Sequence, residues 1–308
     1  RPRTTVSTSG NSGISASGGG SQTRLSYHAQ SEWAAFLLPP DALDLYVPPA
    51  MREPGQKSSH DTTHFGFEDV PVSEKTARVR DVFSSVAGSY DLMNDLMSLG
   101  VHRFWKSVFV GMVAQRPNLQ VLDVAGGTGD IAFRIREKAR PGTRITICDI
   151  NADMLTVGRD RAIDRGILER DDGVRWVCGD AEALPAPDSS YDAYTIAFGM
   201  RNVTDIPAAL AEARRVLRPG GQFLCLEFSQ VVLPVLDEIY DRYSFSVLPW
   251  LGKRVARDEA AYRYLAESIR QFPDQNTYRD MIGAAGLESV RVRNLSGGIA
   301  AIHTARRI

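Results

Sequence analysis

Along most of the chain, short apolar runs alternate with segments whose apolar residues recur every three or four positions. The runs have the length of buried strands, and the segments between them have the period of amphipathic helices. This alternation predicts a parallel sheet with helices on both faces. The predicted strands lie near residues 119–124, 144–149, 174–178, 192–198 and 221–228, and the predicted helices near 129–139, 152–165 and 206–217.

Helical patterns also lie on both sides of this alternating core. Val79, Val82 and Phe83 recur at helical spacing and predict helices within residues 73–114, which form an N-terminal helical segment over about 65–115. Residues 233–272 are helical in pattern and rich in aromatic side chains.

The chain closes with a predicted β-hairpin. Strand-like residues 288–293 and 299–304 enclose Gly297 and Gly298, which suit a turn. Five parallel strands followed by this pair predict an α/β sheet of seven strands, mostly parallel, with the last strand antiparallel.

The first 31 residues differ in composition from the rest. They contain three arginines, eight serines and no acidic residue. This composition is typical of an organelle transit peptide, although a disordered tail shares it. Residues 32–64 are a proline-rich linker, so we expect little fixed structure before about Phe65 and one folded domain over 65–308.

Composition narrows the class of protein. With 308 residues, 43% hydrophobic, the chain can bury one large core. A net charge of −1 leaves no basic field for nucleic acid. The five histidines lack the spacing of metal ligands, so no metal site is predicted. Each of the three cysteines lies in an apolar run, which predicts that they are reduced and buried. No apolar run reaches the length of a membrane helix.

The glycine-rich turn after the first core strand is the most informative segment. Gly126, Gly127 and Gly129 lead into a helix, and without Cβ atoms they let backbone amides approach a ligand. One candidate is a dinucleotide, because Gly127 begins a G-x-G-x-x-A pattern and Asp149 follows about 20 residues later.

Electrostatics favour S-adenosylmethionine over a dinucleotide. Asp123 and Asp130 flank the loop, and two carboxylates would repel a diphosphate. The same carboxylates would attract the sulfonium and ammonium of S-adenosylmethionine. An ordinary glycine-rich turn without a ligand is the third interpretation.

Further polar residues follow the next strands, where ligands of open α/β sheets bind. Thr128 suits the methionine carboxylate, and Asp123 could engage the ammonium through water. Asp149 suits both ribose hydroxyls, and Asp180 with the amide of Ala181 suits the adenine ring. Any one of these acids could instead cap a helix. After the fourth strand, residues 198–202 would face the transferred methyl group.

These segments resemble the ubiquinone/menaquinone biosynthesis C-methyltransferase family from about His64 to the C-terminus. The family implies the class I S-adenosylmethionine-dependent methyltransferase fold, with donor contacts on Thr128, Asp149, Asp180 and Ala181. The resemblance rests on VFSSVAGSYDLMNDLMSLGVHRFWK (82–106), DVAGGTGD (123–130), DAEALP (180–185), FGMRNVTD (198–205) and RPGGQFLCLEFS (218–229). Ala197 departs from the serine often found there in bacterial members, which puts one donor contact in doubt.

With the transit-like N-terminus, the resemblance implies the mitochondrial branch of the family. Its substrate is the ring carbon of 2-methoxy-6-polyprenyl-1,4-benzoquinol. The implied partners are a multi-subunit ubiquinone-biosynthesis complex and the matrix side of the inner membrane, contacted peripherally, and a homodimer stays open. Alternatives are a demethylmenaquinol methyltransferase and a donor-binding scaffold subunit. A nucleic-acid or protein methyltransferase would require a basic groove or an Asn/Asp-Pro-Pro-aromatic motif after strand four, where this chain has the residues FGMR (198–201).

Candidate catalytic residues lie after the fourth strand and in the N-terminal segment. We expect Arg201 and Asn202 to hold a water or the phenolate, with arginine orienting rather than abstracting a proton because its pKa is about 12 or above. An ion pair of Arg201 with Asp205 or Glu227 is the alternative. Tyr90 is the next candidate to line the donor pocket. Residues 231–275 would form a lid over the apolar tail of the substrate.

Overall fold

The structure is a computed structural model, and it describes residues 62–86, 95, 98, 100–167, 174–231 and 259–308. A two-stranded antiparallel hairpin comes first, with β1 (Thr62–Phe65) paired to β2 (Glu68–Pro71). Gly66 makes its turn with a φ of 59°. The linker expected up to residue 64 therefore ends earlier, because β1 begins within it. The rings of Phe65 and Tyr264 stack at 4.3 Å and attach the hairpin to the domain.

The main sheet has seven strands among the described residues, in the order β5-β4-β3-β6-β7-β9-β8. The first five in sequence run parallel, and β9 runs antiparallel to both β7 and β8. This confirms the predicted α/β architecture. The strands are β3 (Gln120–Val124), β4 (Arg144–Asp149), β5 (Val174–Cys178), β6 (Tyr191–Ala197), β7 (Leu217–Phe228), β8 (Glu288–Leu295) and β9 (Ala300–Arg306).

The helices follow the predicted pattern with one addition. The pattern does not predict α7 (Gln275–Ala284), a short helix whose N-terminal amides are capped by the Asp274 carboxylate. Of the helical region expected over 233–272, residues 233–258 lie outside the described residues. Within the described ranges, every helix is too short or too polar to cross a bilayer. The helices are α1 (Val72–Val86), α2 (His102–Gly111), α3 (Asp130–Lys138), α4 (Ala152–Asp164), α5 (Ile206–Val216), α6 (Glu259–Gln271) and α7 (Gln275–Ala284).

Two apolar clusters cover the two faces of the sheet. Successive strand residues point to opposite faces, so Val121 joins one cluster and Leu122 the other. Trp105 and Phe109 of α2 pack into the first cluster, and Tyr278 of α7 packs into the second. Full burial of such a side chain contributes roughly 1.5–3 kcal/mol. The clusters hold the carboxyl ends of the parallel strands in one place.

The cysteines are free thiols, but they are not all buried. Cys148 and Cys225 lie in the core, whereas Cys178 is exposed at the end of β5. The expectation of three buried thiols is therefore wrong for Cys178. Its strand is the edge strand of the sheet, so one side of its last residue faces solvent.

Candidate functional site

The carboxyl ends of β3, β4, β5 and β6 meet around one pocket. The residues predicted to bind the donor line it, with the exception of Gly129, and so does Asn202. Arg201 does not line it, and Tyr90 lies outside the described residues. The donor residues at the pocket are Asp123, Gly126, Gly127, Thr128, Asp149, Asp180 and Ala181.

The glycines of the turn after β3 have two different functions. A Cβ on Gly127 would lie 3.0 Å from Met154 Cε and 3.8 Å from Asp149 Oδ2, two residues that line the pocket, so the missing side chain keeps the pocket open there. Gly129, with a φ of 83°, sits instead against Trp176, which a Cβ would approach to 2.9 Å. Gly129 therefore closes the packing behind the turn and does not face the ligand.

Asp149 at the end of β4 is held in a fixed orientation. Its Oδ2 accepts a hydrogen bond from the Gly127 N–H, and its Oδ1 accepts one from the Asn151 N–H, both at 2.8 Å. Burial raises the pKa of Asp149 to about 6, against the effect of these backbone donors. A carboxylate has four lone-pair sites, so both oxygens keep acceptor capacity for a pair of hydroxyls.

Asp123 at the end of β3 has one unsatisfied oxygen. The side chain is 1% exposed, and Oδ1 accepts a hydrogen bond from the Thr195 hydroxyl at 2.7 Å. Oδ2 is buried without a hydrogen-bond partner. Burial raises the pKa of Asp123 to about 7. A buried, unpaired carboxylate oxygen beside a pocket is costly unless a ligand supplies a donor or a positive charge.

Thr128 and the segment after β5 complete the donor side of the pocket. The Thr128 hydroxyl is buried and accepts a hydrogen bond from Arg161 at 3.1 Å, which leaves its own proton free to be donated. Asp180 Oδ1 accepts from the Glu182 N–H at 2.9 Å and orders a tight turn that contains Ala181. The structure thus brings together the polar groups that sequence spacing assigned to the donor.

The charge of Asp130 differs from the sequence-based expectation. Its carboxylate is 2.9 Å from the ammonium of Lys106 and 2.9 Å from Nε of Arg134. Burial alone would raise the pKa of Asp130, but these two cations outweigh it and lower the pKa. Asp130 is therefore neutralised and does not repel an anion, so the electrostatic preference for a cationic ligand rests on Asp123 and Asp149.

The turn after β6 is strained where it faces the pocket. Phe198 adopts a left-handed φ of 57°, and Ala125, after the neighbouring β3, adopts a φ of 50°. A Cβ on Gly199 would lie 2.4 Å from the Cβ of Ala125, so the two turns touch through a glycine. Such conformations cost about 1–3 kcal/mol each and cluster at functional sites. They set the floor of the pocket, at the place where we expect the methyl group.

Arg201 lies behind the pocket wall. Its Nη1 is 2.7 Å from Glu227 Oε1 and donates to the Phe198 carbonyl oxygen at 2.6 Å. Both side chains of the ion pair are 1% exposed. The expectation that Arg201 holds the phenolate directly is therefore corrected. The guanidinium forms an ion pair with Glu227, as the alternative interpretation of the sequence had it. Arg201 supports the turn that Phe198 begins.

Asn202 faces the pocket and is oriented by a residue of α6. The Tyr264 hydroxyl donates to Asn202 Oδ1 at 3.0 Å, and Tyr264 is 5% exposed. This fixes the amide so that its Nδ2 donates a long hydrogen bond to the Phe198 carbonyl oxygen at 3.5 Å and keeps a second N–H for a ligand. Sequence spacing gave no signal for Tyr264, which lies 62 positions away.

Helix α1 supplies a wall of the pocket that its helical spacing alone did not predict. Val79, Arg80 and Phe83 line the pocket. Asn151, after β4, donates from Nδ2 to the Arg80 carbonyl oxygen at 3.1 Å and so ties α1 to the donor side. The helical spacing of the apolar residues was the correct signal, but it does not distinguish a core face from a pocket face.

The residues of the pocket fit S-adenosylmethionine. The buried Asp123 Oδ2, which has no hydrogen-bond partner, suits the ammonium, and the missing side chain at Gly127 leaves space beside Met154 and Asp149. Asp149 presents an oriented carboxylate at the pocket, where two vicinal hydroxyls could donate to it. When bound, S-adenosylmethionine supplies an electrophilic methyl group on its sulfonium.

Comparisons with known proteins agree with this geometry. The model of the ubiE/COQ5 methyltransferase family matches residues 72–307. The chain is 56% identical over 250 residues to the ubiquinone/menaquinone biosynthesis C-methyltransferase UbiE of Bradyrhizobium sp., covering 80% of this chain and 98% of that one. It is 57% identical over 242 residues to the UbiE of Paracoccus denitrificans, covering 79% and 95%.

A solved structure shares the fold at low identity. A SAM-dependent methyltransferase of Thermotoga maritima superposes with a TM-score of 0.50 at 17% identity, covering 74% of this chain and 99% of that one. The chain therefore belongs to the ubiE/COQ5 methyltransferase family, and S-adenosylmethionine is its methyl donor.

Proposed function

We propose that the chain methylates the ring carbon of 2-methoxy-6-polyprenyl-1,4-benzoquinol in ubiquinone biosynthesis. The observation that carries this proposal is that the donor residues after β3, β4 and β5 line the same pocket as the Phe198–Asn202 turn after β6. The relatives named above are quinone-biosynthesis C-methyltransferases at 56% and 57% identity. One pocket can thus hold the donor and an aromatic acceptor next to each other.

The chemistry of the acceptor defines what the pocket must do. A quinol carbon becomes nucleophilic when a ring hydroxyl loses its proton to water, because the charge spreads to the ortho carbon. That carbon forms a bond to the methyl group as the sulfur–methyl bond breaks and S-adenosylhomocysteine is left, and the ring proton then passes to water, which restores aromaticity. Alignment of the two centres is worth on the order of 7–11 kcal/mol.

Residues of this chain supply the alignment on the acceptor side. Phe198 lines the pocket but is 3% exposed, and its ring packs on Phe228 at 4.8 Å between centroids, so it forms an aromatic floor beneath the place of the quinol ring. The Asn202 Nδ2, oriented through Tyr264, is placed to hold a ring oxygen or a water. We retain Arg201 as a positioning residue and keep Tyr90 as a candidate for the pocket lining.

A comparison of two ring systems tests this proposal against its alternatives. Short-tailed demethyl benzoquinol and demethyl naphthoquinol are offered under anaerobic conditions, and kcat/KM is measured for each. We expect a higher kcat/KM for the benzoquinol. A preference for the naphthoquinol would indicate the demethylmenaquinol activity, and donor binding without turnover of either ring would indicate a scaffold subunit.

The polyprenyl tail requires an apolar path, which we assign to a lid over residues 231–275. Support comes from its sequence, which contains Tyr240 and Trp250 in a long apolar run, although residues 232–258 lie outside the described ones. Polar replacements at Tyr240 and Trp250 should lower kcat/KM for long-tailed substrates more than for short-tailed ones. Equal losses would contradict the assignment.

We further infer a mitochondrial location at the matrix side of the inner membrane. There the chain would belong to a multi-subunit ubiquinone-biosynthesis complex. The support is the composition of residues 1–31, since the relatives named above are bacterial. Fusion of residues 1–64 to a fluorescent protein should direct it to mitochondria. A diffuse signal would contradict the inferred location.

A further inference from the structure

The charges around the pocket are unevenly distributed. Its donor side carries the carboxylates of Asp123, Asp149 and Asp180, which suit the positive charges of the donor. Two cationic side chains line the pocket in the described part of the chain, Arg80 and Lys106. Arg80 is exposed, whereas Lys106 is only 4% exposed. Lys106 is therefore the buried cation of the pocket wall.

Lys106 lies between Asp130, which follows the glycine turn on the donor side of the pocket, and Phe198, which follows β6 on the acceptor side. Its Nζ is 2.9 Å from Asp130 Oδ2, at the start of α3. The same Nζ is 5.9 Å from the centre of the Phe198 ring, within the range of a cation–π contact. The ammonium thus lies close to Phe198, which forms the aromatic floor of the pocket where the acceptor is expected.

The local charge balance leaves one positive charge at this place. Lys106 and Arg134 both contact Asp130, so two cations share one carboxylate. The Lys106 ammonium is buried and contacts one oxygen of Asp130, while Arg134 contacts the other oxygen. A second anion next to this ammonium would stabilise it. The pocket is where such an anion can approach, because Lys106 lines it and Arg134 does not.

We propose that the Lys106 ammonium binds the phenolate oxygen of the quinol and stabilises the ionised ring that attacks the methyl group. This inference rests on the proposed function. The anion could also be the methionine carboxylate of the donor, but the position of Lys106 favours the phenolate. Its Nζ lies 5.9 Å from the centre of the Phe198 ring, in the turn after β6, whereas the Thr128 hydroxyl lies in the turn after β3 and has a proton to donate to the donor carboxylate.

Other charged groups near Lys106 do not replace it in this function. His102, one turn earlier on α2, has a pKa lowered to about 4 by burial and by the charge of Lys106, so it is neutral near pH 7. On β7, Glu227 is committed to Arg201. The charged and titratable groups around Lys106 are His102, Arg103, Asp95, Asp130 and Arg134, and Asp123 in turn lies near Asp130.

The test compares Lys106→Met and Lys106→Arg with wild type. The ionisation of the bound quinol is followed by anaerobic ultraviolet titration in the presence of S-adenosylhomocysteine, and the pH profile of kcat is measured with S-adenosylmethionine. We expect Lys106→Met to move the quinol ionisation and the acidic limb of kcat upward by about one pH unit or more, which is tenfold or more in the ionised fraction. Lys106→Arg should keep both near the wild-type values. Donor affinity measured by calorimetry should change by less than about threefold, because no donor contact is removed.

Controls separate this function from folding and from the donor site. Lys138→Met removes an exposed lysine from α3 and should leave the quinol ionisation and the donor affinity unchanged. If Lys106→Met does not fold, the quinol ionisation is measured in Lys106→Met/Asp130→Asn, which removes both charges of the ion pair. An unchanged quinol ionisation in a folded variant would overturn the inference. If the same variant bound the donor more weakly, Lys106 would be assigned to the donor carboxylate. Failure of the proposed function is recognised separately, because wild type would then methylate neither ring.

Discussion

Arg201 and Glu227 form a buried ion pair, with 2.7 Å between Nη1 of the arginine and Oε1 of the glutamate. The pair joins the turn after β6 to the end of β7 and leaves the guanidinium no direct access to the pocket. Loss of one partner leaves a buried charge without compensation, which typically costs 3–5 kcal/mol. Arg201→Met should therefore lower the free energy of unfolding by about that amount, as measured by urea denaturation.

A double variant distinguishes support from catalysis. Arg201→Met/Glu227→Met replaces the pair by apolar side chains, and we expect it to recover most of the lost stability. If Arg201 acts only by positioning, this variant should also recover turnover to within about tenfold of wild type. A stable double variant that binds the donor but does not turn over would show that Arg201 acts on the substrate after all.

The Asp149 carboxylate should determine donor affinity. Asp149→Asn keeps the shape of the side chain but places an amide opposite the N–H groups of Gly127 and Asn151. Charged hydrogen bonds contribute about 1.5–3 kcal/mol, so the donor Kd should rise roughly 10- to 100-fold in calorimetry. Asp188→Asn, at a side chain that is 74% exposed, is the matched control and should leave the Kd unchanged. A Kd within twofold of wild type in Asp149→Asn would argue against ribose binding at this position.

The contact between Gly199 and Ala125 should be sensitive to one methyl group. Gly199→Ala would place two Cβ atoms 2.4 Å apart, and overpacking of this kind costs typically 1–3 kcal/mol. We expect a lower melting temperature and lower kcat. Gly199→Ala/Ala125→Gly removes the second methyl and should restore both, since Ala125 has a left-handed φ that glycine adopts freely.

A glycine in open space provides the comparison for that experiment. A Cβ on Gly283 of α7 would meet no atom within 4 Å, so Gly283→Ala should be neutral or stabilising by up to about 1 kcal/mol. Equal destabilisation by Gly199→Ala and Gly283→Ala would contradict the steric account of the turn.

Donor binding should depend on pH through Asp123. Burial raises its pKa from 3.8 to about 7, so the folded protein without a ligand holds a proton there that the unfolded chain has lost. The stability that this proton contributes is lost as the pH rises through about 7. The donor ammonium requires the carboxylate, so donor affinity should increase from about pH 5 to pH 8 and binding should release a proton.

Calorimetry in two buffers of different ionisation enthalpy measures that proton release. Asp123→Asn should reduce the release at about pH 6 and flatten the pH dependence of the Kd. An affinity that does not change across this range would show that Asp123 is already ionised, or that it does not face the ammonium.

Strand ends were the part of the site that sequence could predict. Apolar runs define the strands, and a parallel sheet brings their carboxyl ends together, so Asp123, Asp149 and Asp180 had to lie near one another. The rotation of a helix about its axis depends on packing, which is why neither Lys106 nor Phe83 was recognised as a pocket residue. The partner of Arg201 was also open, because Glu227 is 26 positions away on another strand.

The most direct test of carbon methylation uses S-adenosylmethionine with a carbon-13 methyl group. The acceptor is a short-tailed demethyl benzoquinol that carries deuterium at the ring position to be methylated. Nuclear magnetic resonance and mass spectrometry of the product should show the labelled methyl on a ring carbon with loss of that deuterium. A labelled methoxy group with the deuterium retained, or no transfer to the quinol, would contradict the account.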